Sequence, residues 1–312
     1  MSELRRDPVL GYWVIINEKR ADRPRQLKKI ETIHNHENCY FCPGNESLTP
    51  PEIGRVEEKG QWKLRWFENK FPIVNHAVQF YAQKKEFQGS PGFGYHEVVV
   101  DTNDHKRQMW DLSVKALHQL LKVYALRTSE LSKLRNVQCV SIFKNHGVEG
   151  GTSIIHSHTQ IITLPFIPPR VSAEVHAHRK HGACAYCTVI RKEQKSRRFV
   201  FRNNSFIAFC PYASRFNYEV WIFSRKHVSS LLDFNDRMLK DLAEILRLVL
   251  SRLRVIGCSY NFFLHYNQKG KLHFHIEVTP RKATWAGFEI GTDIIVNSVS
   301  PETAAKFYRG EG

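Results

Sequence analysis

The stretch GGTSIIHSHTQIITLP, Gly150–Pro165, decides how the rest of the chain is read. It joins a glycine-rich turn to an apolar run in which His156, His158 and Gln160 fall at alternate positions. Alternate residues of a strand share a face, so these three side chains line up on one side while Ser157, Thr159 and Ile161 take the other. The preceding loop runs from Asn145 through Gly147, Gly150 and Gly151 to Ser153. Glycines there allow close backbone approach, and Asn145 and Ser153 supply side-chain donors, as phosphate oxygens require. A histidine becomes a nucleophile toward phosphorus when its other ring nitrogen donates to a fixed acceptor. His158 suits that role, because His156 fits better as a metal ligand.

Working outward, the same order of elements occurs twice. The first half runs from Cys39-Tyr-Phe-Cys42 through FENKFP and HEVVVD to His105, a helical pattern over 113–134, CVSIFKN and the His-x-His stretch. The second runs from Cys184-Ala-Tyr-Cys187 through FIAFCPYAS and YEVWIFSRKH to His227, a helical pattern over 235–253, YNFFLHYN and LHFHIEVTP. Leu117, Leu120, Leu121 and Tyr124 in one helix, and Leu239, Leu242, Ile245, Leu246 and Val249 in the other, fall at three- and four-residue spacing. Each helix should therefore lay one face on a sheet. The β-branched and aromatic content of the intervening runs predicts an α+β chain of two tandem repeats, each a mostly antiparallel sheet with a covering helix. A polar, proline-marked stretch over 166–183 suggests a division into residues 1–170 and 171–312. The two sheets could form one.

The repetition extends to metal-binding residues. A tetrahedral site of thiolates and imidazoles takes two ligands from a tight Cys-x-x-Cys turn and two from distant chain. Cys39, Cys42, His105 and His156 make one such set; Cys184, Cys187, His227 and His273 make the other. Two structural zinc ions are expected, with His265, His275 and Glu174 as reserve ligands for the second. Cys139, Cys210 and Cys258 lie in apolar runs and read as packed thiols.

The 312 residues are 42% hydrophobic and 12% aromatic, enough for a sizeable core. No apolar run approaches the roughly 20 residues that span a bilayer, and the N-terminal segment lacks a secretory core, so a cytoplasmic location is the expectation. The formal net charge of +16 favours anionic partners. Lysines and arginines are spread along the chain, which argues for a phosphate-bearing small molecule over nucleic acid.

On these residues the chain resembles the galactose-1-phosphate uridylyltransferase group of the histidine-triad superfamily. FKNHGVEGGTSIIHSHTQ is similar to that group's active-site segment, and the likeness extends across nearly the whole chain. RRDPVLGYWVIINEKRADRP resembles the N-terminal segment whose paired arginines, here Arg20 and Arg23, contact the nucleotide. FENKFP matches the segment whose asparagine, here Asn69, lies at the nucleoside. LHFHIEVTPRKATWAGFEIGT is similar to the second-repeat strand and the sugar-phosphate loop, placing Phe288 and Glu289 at the sugar. The resemblance implies that His158 attacks the α-phosphorus of a nucleotide sugar, that a sugar 1-phosphate leaves and another attacks, and that the protein is a homodimer. Gln160 stands where the superfamily's hydrolases have a third histidine. An amide donates hydrogen bonds but shuttles no proton, which suits transfer between phosphates and handicaps water.

Some positions depart from the group. Ser157 replaces the usual proline between the histidines, Phe288 replaces a tyrosine, Ile295 falls near a glutamine and Lys70 near an aspartate. The HSH form, FEIGT and the second Cys-x-x-Cys also resemble an ADP-glucose phosphorylase branch, in which inorganic phosphate is the acceptor. UDP-glucose with galactose 1-phosphate is the leading expectation, ADP-glucose with phosphate the alternative, and nucleic-acid-end processing, as in some histidine-triad proteins, a remote one. In the second repeat Glu277 occupies the position of Gln160, and a carboxylate there would repel a phosphate, so that half is expected to be silent.

Overall fold

The run after the glycine-rich turn becomes an inner strand of a ten-stranded sheet, but that strand begins at His158, leaving His156 in the chain leading into it. The structure is a computed structural model and describes residues 3–18, 39–80, 89–180, 184–267 and 272–311. In chain order the elements are β1 (Glu3–Arg6), β2 (Trp13–Ile16), β3 (Glu52–Glu58), β4 (Gln61–Glu68), β5 (His96–Val100), α1 (Val114–Leu131), β6 (Cys139–His146) and β7 (His158–Leu164). Then follow α2 (Pro169–Lys180), α3 (Ala185–Glu193), β8 (Phe199–Arg202), β9 (Phe206–Phe209), β10 (Val220–Ser224), α4 (Asp236–Ile256), β11 (Tyr260–His265) and β12 (His275–Pro280). The chain closes with α5 (Gly287–Thr292), β13 (Ile295–Asn297) and α6 (Pro301–Arg309).

The large sheet runs β3-β4-β5-β7-β6-β11-β12-β10-β9-β8, every pair antiparallel. Its two five-strand halves mirror one another about the β6–β11 seam, so the repeated element order forms one continuous sheet. A small sheet, β1-β2-β13, carries the parallel pairing of β2 with β13.

Helix α1 starts at Ser113, whose side chain accepts from the Ala116 amide, and α4 starts at Asn235, which does the same for Met238. Gly257, in the left-handed conformation, ends α4. Both helices lie together on one face of the sheet. They bury their leucines there against Val99, Ile142, Ile161, Phe262, Ile276 and their neighbours. On the other face the halves differ. In the second, Val175 of α2 and Tyr186 and Ile190 of α3 cover Ile207, Phe209, Trp221 and Phe223. In the first, the smaller cluster of Cys39, Phe41, Trp62, Phe67, Val98 and Val100 leaves part of the face open.

The stretch 166–183, expected as the boundary between the repeats, contains α2. Pro169 at its first position pre-sets the helical φ and forgoes an amide that no helix start could use. Its polar composition hid it, because Arg170 and Glu174 turn inward to charged partners rather than to an apolar core.

Candidate active site

His158 opens β7 and is 8% exposed. Its Nδ1 lies 2.9 Å from the carbonyl oxygen of His156. A carbonyl only accepts, so Nδ1 carries the proton and Nε2 keeps its lone pair. Burial and the nearby Lys144 ammonium push this imidazole down to about 4, so it stands neutral and nucleophilic at pH 7. The Phe41 ring meets it edge-on at 5.3 Å. Phe41 also lines a cavity of about 130 Å³ with Leu48, Phe67, Asn69, Phe71 and Val98, an apolar slot with an amide at its rim.

Gln160 lies on the same face as His158, two residues on. Its Oε1 is 2.9 Å from Nε2 of His96. The Ile73 amide donates to Nδ1 of His96 at 3.2 Å, so the proton of this ring is on Nε2 and points at Gln160. That contact occupies the amide oxygen and turns the NH₂ group away as a free donor pair. Asn69 Nδ2 lies 3.1 Å from the same ring nitrogen, and its Oδ1 accepts from the Phe71 amide. His96 was missed in the sequence; as the first residue of HEVVVD it reads as a strand start.

The loop ahead of β7 turns at Gly147 and Gly151, with φ of 75° and 82°. A Cβ on Gly147 would lie 2.2 Å from Ser259 Oγ, so glycine is required on two counts. Asn261, on β11 of the second half, donates to Asn145 Oδ1 at 2.8 Å and to the Gly150 carbonyl at 2.6 Å. It thereby ties the loop to the partner half, a link between distant segments that no local spacing signals. Gly151 and Ser153 are both exposed.

Each Cys-x-x-Cys meets the two histidines assigned to it. Nδ1 of His156 is 3.6 Å from both Cys39 Sγ and Cys42 Sγ, and Nδ1 of His105 is 3.3 Å from Cys42 Sγ. In the second set the distances are 3.8 Å for Cys184 to His273, 3.4 Å for Cys187 to His273 and 3.6 Å for Cys187 to His227. Ligands about 2.0–2.3 Å from a tetrahedral zinc stand roughly 3.6 Å apart, so both donor sets fit a metal ion of that kind. His156 Nε2 donates to the Thr102 carbonyl at 2.8 Å and His273 Nε2 to the Ser224 carbonyl at 2.6 Å, which leaves each Nδ1 free as ligand. Burial and the neighbouring thiol push Cys42 and Cys187 up to about 11, a penalty a bound cation reverses. The second pair is not the expected turn: Cys184 caps α3 and Cys187 sits in its first turn.

One expectation is corrected. Glu174, His265 and His275 do not join the second cysteine set; with Glu277 they form a separate buried group. His265 Nδ1 lies 2.9 Å from both Glu174 oxygens, while Arg170 and Arg215 hold Glu277 at 2.7 and 3.1 Å. Glu289 Oε2 accepts from the Ala286 amide and caps α5. Phe288 is 49% exposed on that helix. Arg20 and Arg23 lie outside the described residues.

A family model described as galactose-1-phosphate uridyl transferase, N-terminal domain, matches residues 1–168, and a domain of unknown function, DUF4921, matches 95–307. A galactose-1-phosphate uridylyltransferase of Thermotoga maritima is 31% identical over 99% of this chain and 98% of its own length. The chain belongs to the galactose-1-phosphate uridylyltransferase family. An ADP-glucose phosphorylase of Arabidopsis thaliana is likewise 31% identical, over 98% of this chain and 92% of its own. The crystal structure of an Arabidopsis thaliana ADP-glucose phosphorylase with bound ADP-glucose superposes with a TM-score of 0.85 at 29% identity, covering 99% of each chain. A solved uridylyltransferase gives 0.78 at 28% identity over 100% of this chain and 98% of that one. The α+β fold of this nucleotidyltransferase family is thus the fold observed here. No described helix is long and apolar enough to cross a membrane.

Proposed function

We propose that this member of the family moves a nucleoside monophosphate from a nucleotide sugar, UDP-glucose, to a hexose 1-phosphate, galactose 1-phosphate, through a covalent nucleotidyl-His158. The observation that carries the reading is His158 itself, with Nδ1–H fixed on the His156 carbonyl and Nε2 free beside the apolar slot.

In the first half-reaction the Nε2 lone pair attacks the α-phosphorus, the bond to the bridging oxygen breaks, and the sugar 1-phosphate leaves with that electron pair. The ring becomes a cation, and the His156 carbonyl on Nδ1–H stabilises it. In the second, an oxygen of the acceptor phosphate attacks and the P–N bond returns its pair to Nε2. Both oxygens are already anionic at pH 7, so neither step moves a proton. Gln160, turned by His96, offers its NH₂ to the phosphoryl oxygens and gives water no general base.

Around this centre Asn69 and the slot take the nucleoside, and Asn145, Gly151 and Ser153 the phosphates. Arg20 and Arg23 add charge at the nucleotide. Phe288 and Glu289 meet the sugar, across a homodimer contact. Residues 1–170 form the repeat that carries catalysis and 171–312 the repeat that supports it. The two cysteine–histidine sites hold zinc, which anchors His156 and so the start of the catalytic strand.

A second reading replaces the sugar phosphate with inorganic phosphate and UDP-glucose with ADP-glucose. Ser157 between the histidines and the likeness to the Arabidopsis phosphorylase favour it. One experiment addresses both: intact-mass analysis after mixing with UDP-glucose or ADP-glucose, followed by galactose 1-phosphate or phosphate. A gain of one nucleoside monophosphate that is absent in His158→Ala supports the mechanism, and the donor and discharging acceptor select the reading. No adduct with either donor sinks both.

A further inference from the structure

Behind the catalytic strand, on the face turned toward α1, lies a polar network inside an otherwise apolar layer. Lys144 and Asp101 are each 1% exposed. The Lys144 ammonium spends its three protons on Asp101 Oδ2 at 2.6 Å, Ser157 Oγ at 2.9 Å and the carbonyl of His158 at 2.9 Å. Ser157 Oγ donates to Asp101 Oδ2 and Thr159 Oγ1 to Asp101 Oδ1, both at 2.9 Å. Tyr124 of α1 closes the chain on Thr159 at 2.6 Å. His158 is therefore gripped through both neighbours and through its own backbone.

The second half supplies an internal control. Phe143 pairs with Gln160 as Phe263 pairs with Glu277, so Lys144 corresponds to Leu264. The Asp101 amide donates to the Ser157 carbonyl as the Ser224 amide does to Phe274, so Asp101 corresponds to Ser224 and Ser157 to Phe274. Ile276 stands for Thr159. Where the histidine is sealed, at 0% exposure for His275, the fold fills this layer with leucine, phenylalanine and isoleucine around the small uncharged Ser224. A buried ion pair is seldom more stabilising than an apolar layer of the same shape, so the packing needs of the sheet do not explain it.

We propose that Lys144, Asp101 and Ser157 are positioning residues that fix where the His158 imidazole stands for in-line attack. The idea rests on the nucleotidyl-histidine reading for its kinetic consequence, but the geometry it claims is separable from that reading. Ser157 is the position at which proline would abolish the network's bridging hydroxyl.

The test uses full-length, metal-loaded protein and the charge-neutral pair Lys144→Met with Asp101→Asn, together with the milder Ser157→Ala and the rescuing Ser157→Thr. One arm follows nucleotidyl-enzyme formation by intact mass. An ångström of misplacement predicts a loss of roughly 100-fold in the double variant with the donor KM within about threefold, and a loss of about tenfold for Ser157→Ala that Ser157→Thr largely restores. The other arm follows the Nδ1 proton of His158 by NMR in histidine-labelled protein, with no substrate present. In folded variants that proton should shift and lose protection. Should it stay unmoved in Ser157→Ala and in the double variant, the proposal is overturned, whether or not the rate falls. If the wild-type protein forms no adduct with any donor, the nucleotidyl-histidine reading fails, and the proton arm still decides the positioning role.

Discussion

His96 donates from Nε2 to the side-chain oxygen of Gln160 at 2.9 Å, and the Ile73 amide locks the tautomer from behind. The pair converts a free-rotating amide into a fixed donor. His96→Phe keeps the ring and removes that grip, so kcat for nucleotidyl transfer should fall by roughly 10- to 100-fold with little change in KM, by the general size of lost oriented donors. Steady-state kinetics checks this. An unchanged kcat would mean that Gln160 is oriented by the substrate alone.

The two cysteine–histidine clusters are equivalent in geometry but not in position, since His156 stands two residues before the start of β7, which opens with His158, and His273 two residues before the start of the sealed β12. Cys42→Ser should lower the bound zinc from two equivalents to one and abolish adduct formation, because it frees the start of β7. Cys187→Ser should lose the other equivalent and lower the melting temperature while adduct formation persists. Metal analysis beside intact mass separates the cases. Equal loss of activity in both would show that the halves are not separable in this way.

His146 gives the protein a predictable acid sensitivity. Its ring is stacked on Tyr260 at 4.8 Å and meets Trp110 at 4.3 Å, and burial, then Lys144, pushes it down to about 3. The folded value lies below the ordinary 6.5, so the unfolded chain binds the extra proton. The contribution is full above about pH 6.5 and is lost as the pH falls toward 3, at up to about 1.4 kcal/mol per pH unit. Urea unfolding of His146→Phe between pH 6 and 4 should therefore show a shallower decline than the parent by close to one proton. Parallel declines would place the titration elsewhere.

Much of this was legible in the chain because the repeat made each half a check on the other. The alternating His158 and Gln160 and the two leucine-faced helices follow local rules, periods of two and 3.6, that short segments carry, and the metal sets, though their members lie far apart, showed because the same set occurs twice in the same order. What escaped depends on segments far apart. His96 and Asn261 act through partners 64 and 116 residues away, Gln160 and Asn145. Helix α2 was hidden because its inward residues are charged, and the reserve ligands were misplaced because His265 pairs with Glu174, 91 residues away, in a buried group of their own. Such pairings leave no pattern in either stretch alone.

Glu277 holds the position of Gln160 in the second half, which makes it natural to ask whether a single change would create a second nucleophile. The geometry says no. His275 donates from Nδ1 to the His273 carbonyl at 2.9 Å, as His158 does to His156, so the tautomer is already suitable. Access is what differs: His275 is 0% exposed, stacked on Phe223 at 4.4 Å and covered by Tyr186 at 5.0 Å. The Glu277 carboxylate also neutralises two inward guanidiniums, Arg170 at 2.7 Å and Arg215 at 3.1 Å, and their attraction keeps it well below the usual carboxylate range against the cost of burial. In the double variant His158→Ala with Glu277→Gln, no nucleotidyl adduct should form on His275 with any donor. The same glutamine leaves Arg170 and Arg215 only their longer pairings, with Glu174 at 3.6 Å and Glu219 at 3.9 Å; breaking a buried pair from one side costs about 3–5 kcal/mol, so the variant should unfold at a distinctly lower urea concentration. Intact mass and urea midpoints read the two outcomes independently. An adduct on His275 would mean that α2 and α3 open over the second half, contrary to the packing that seals it.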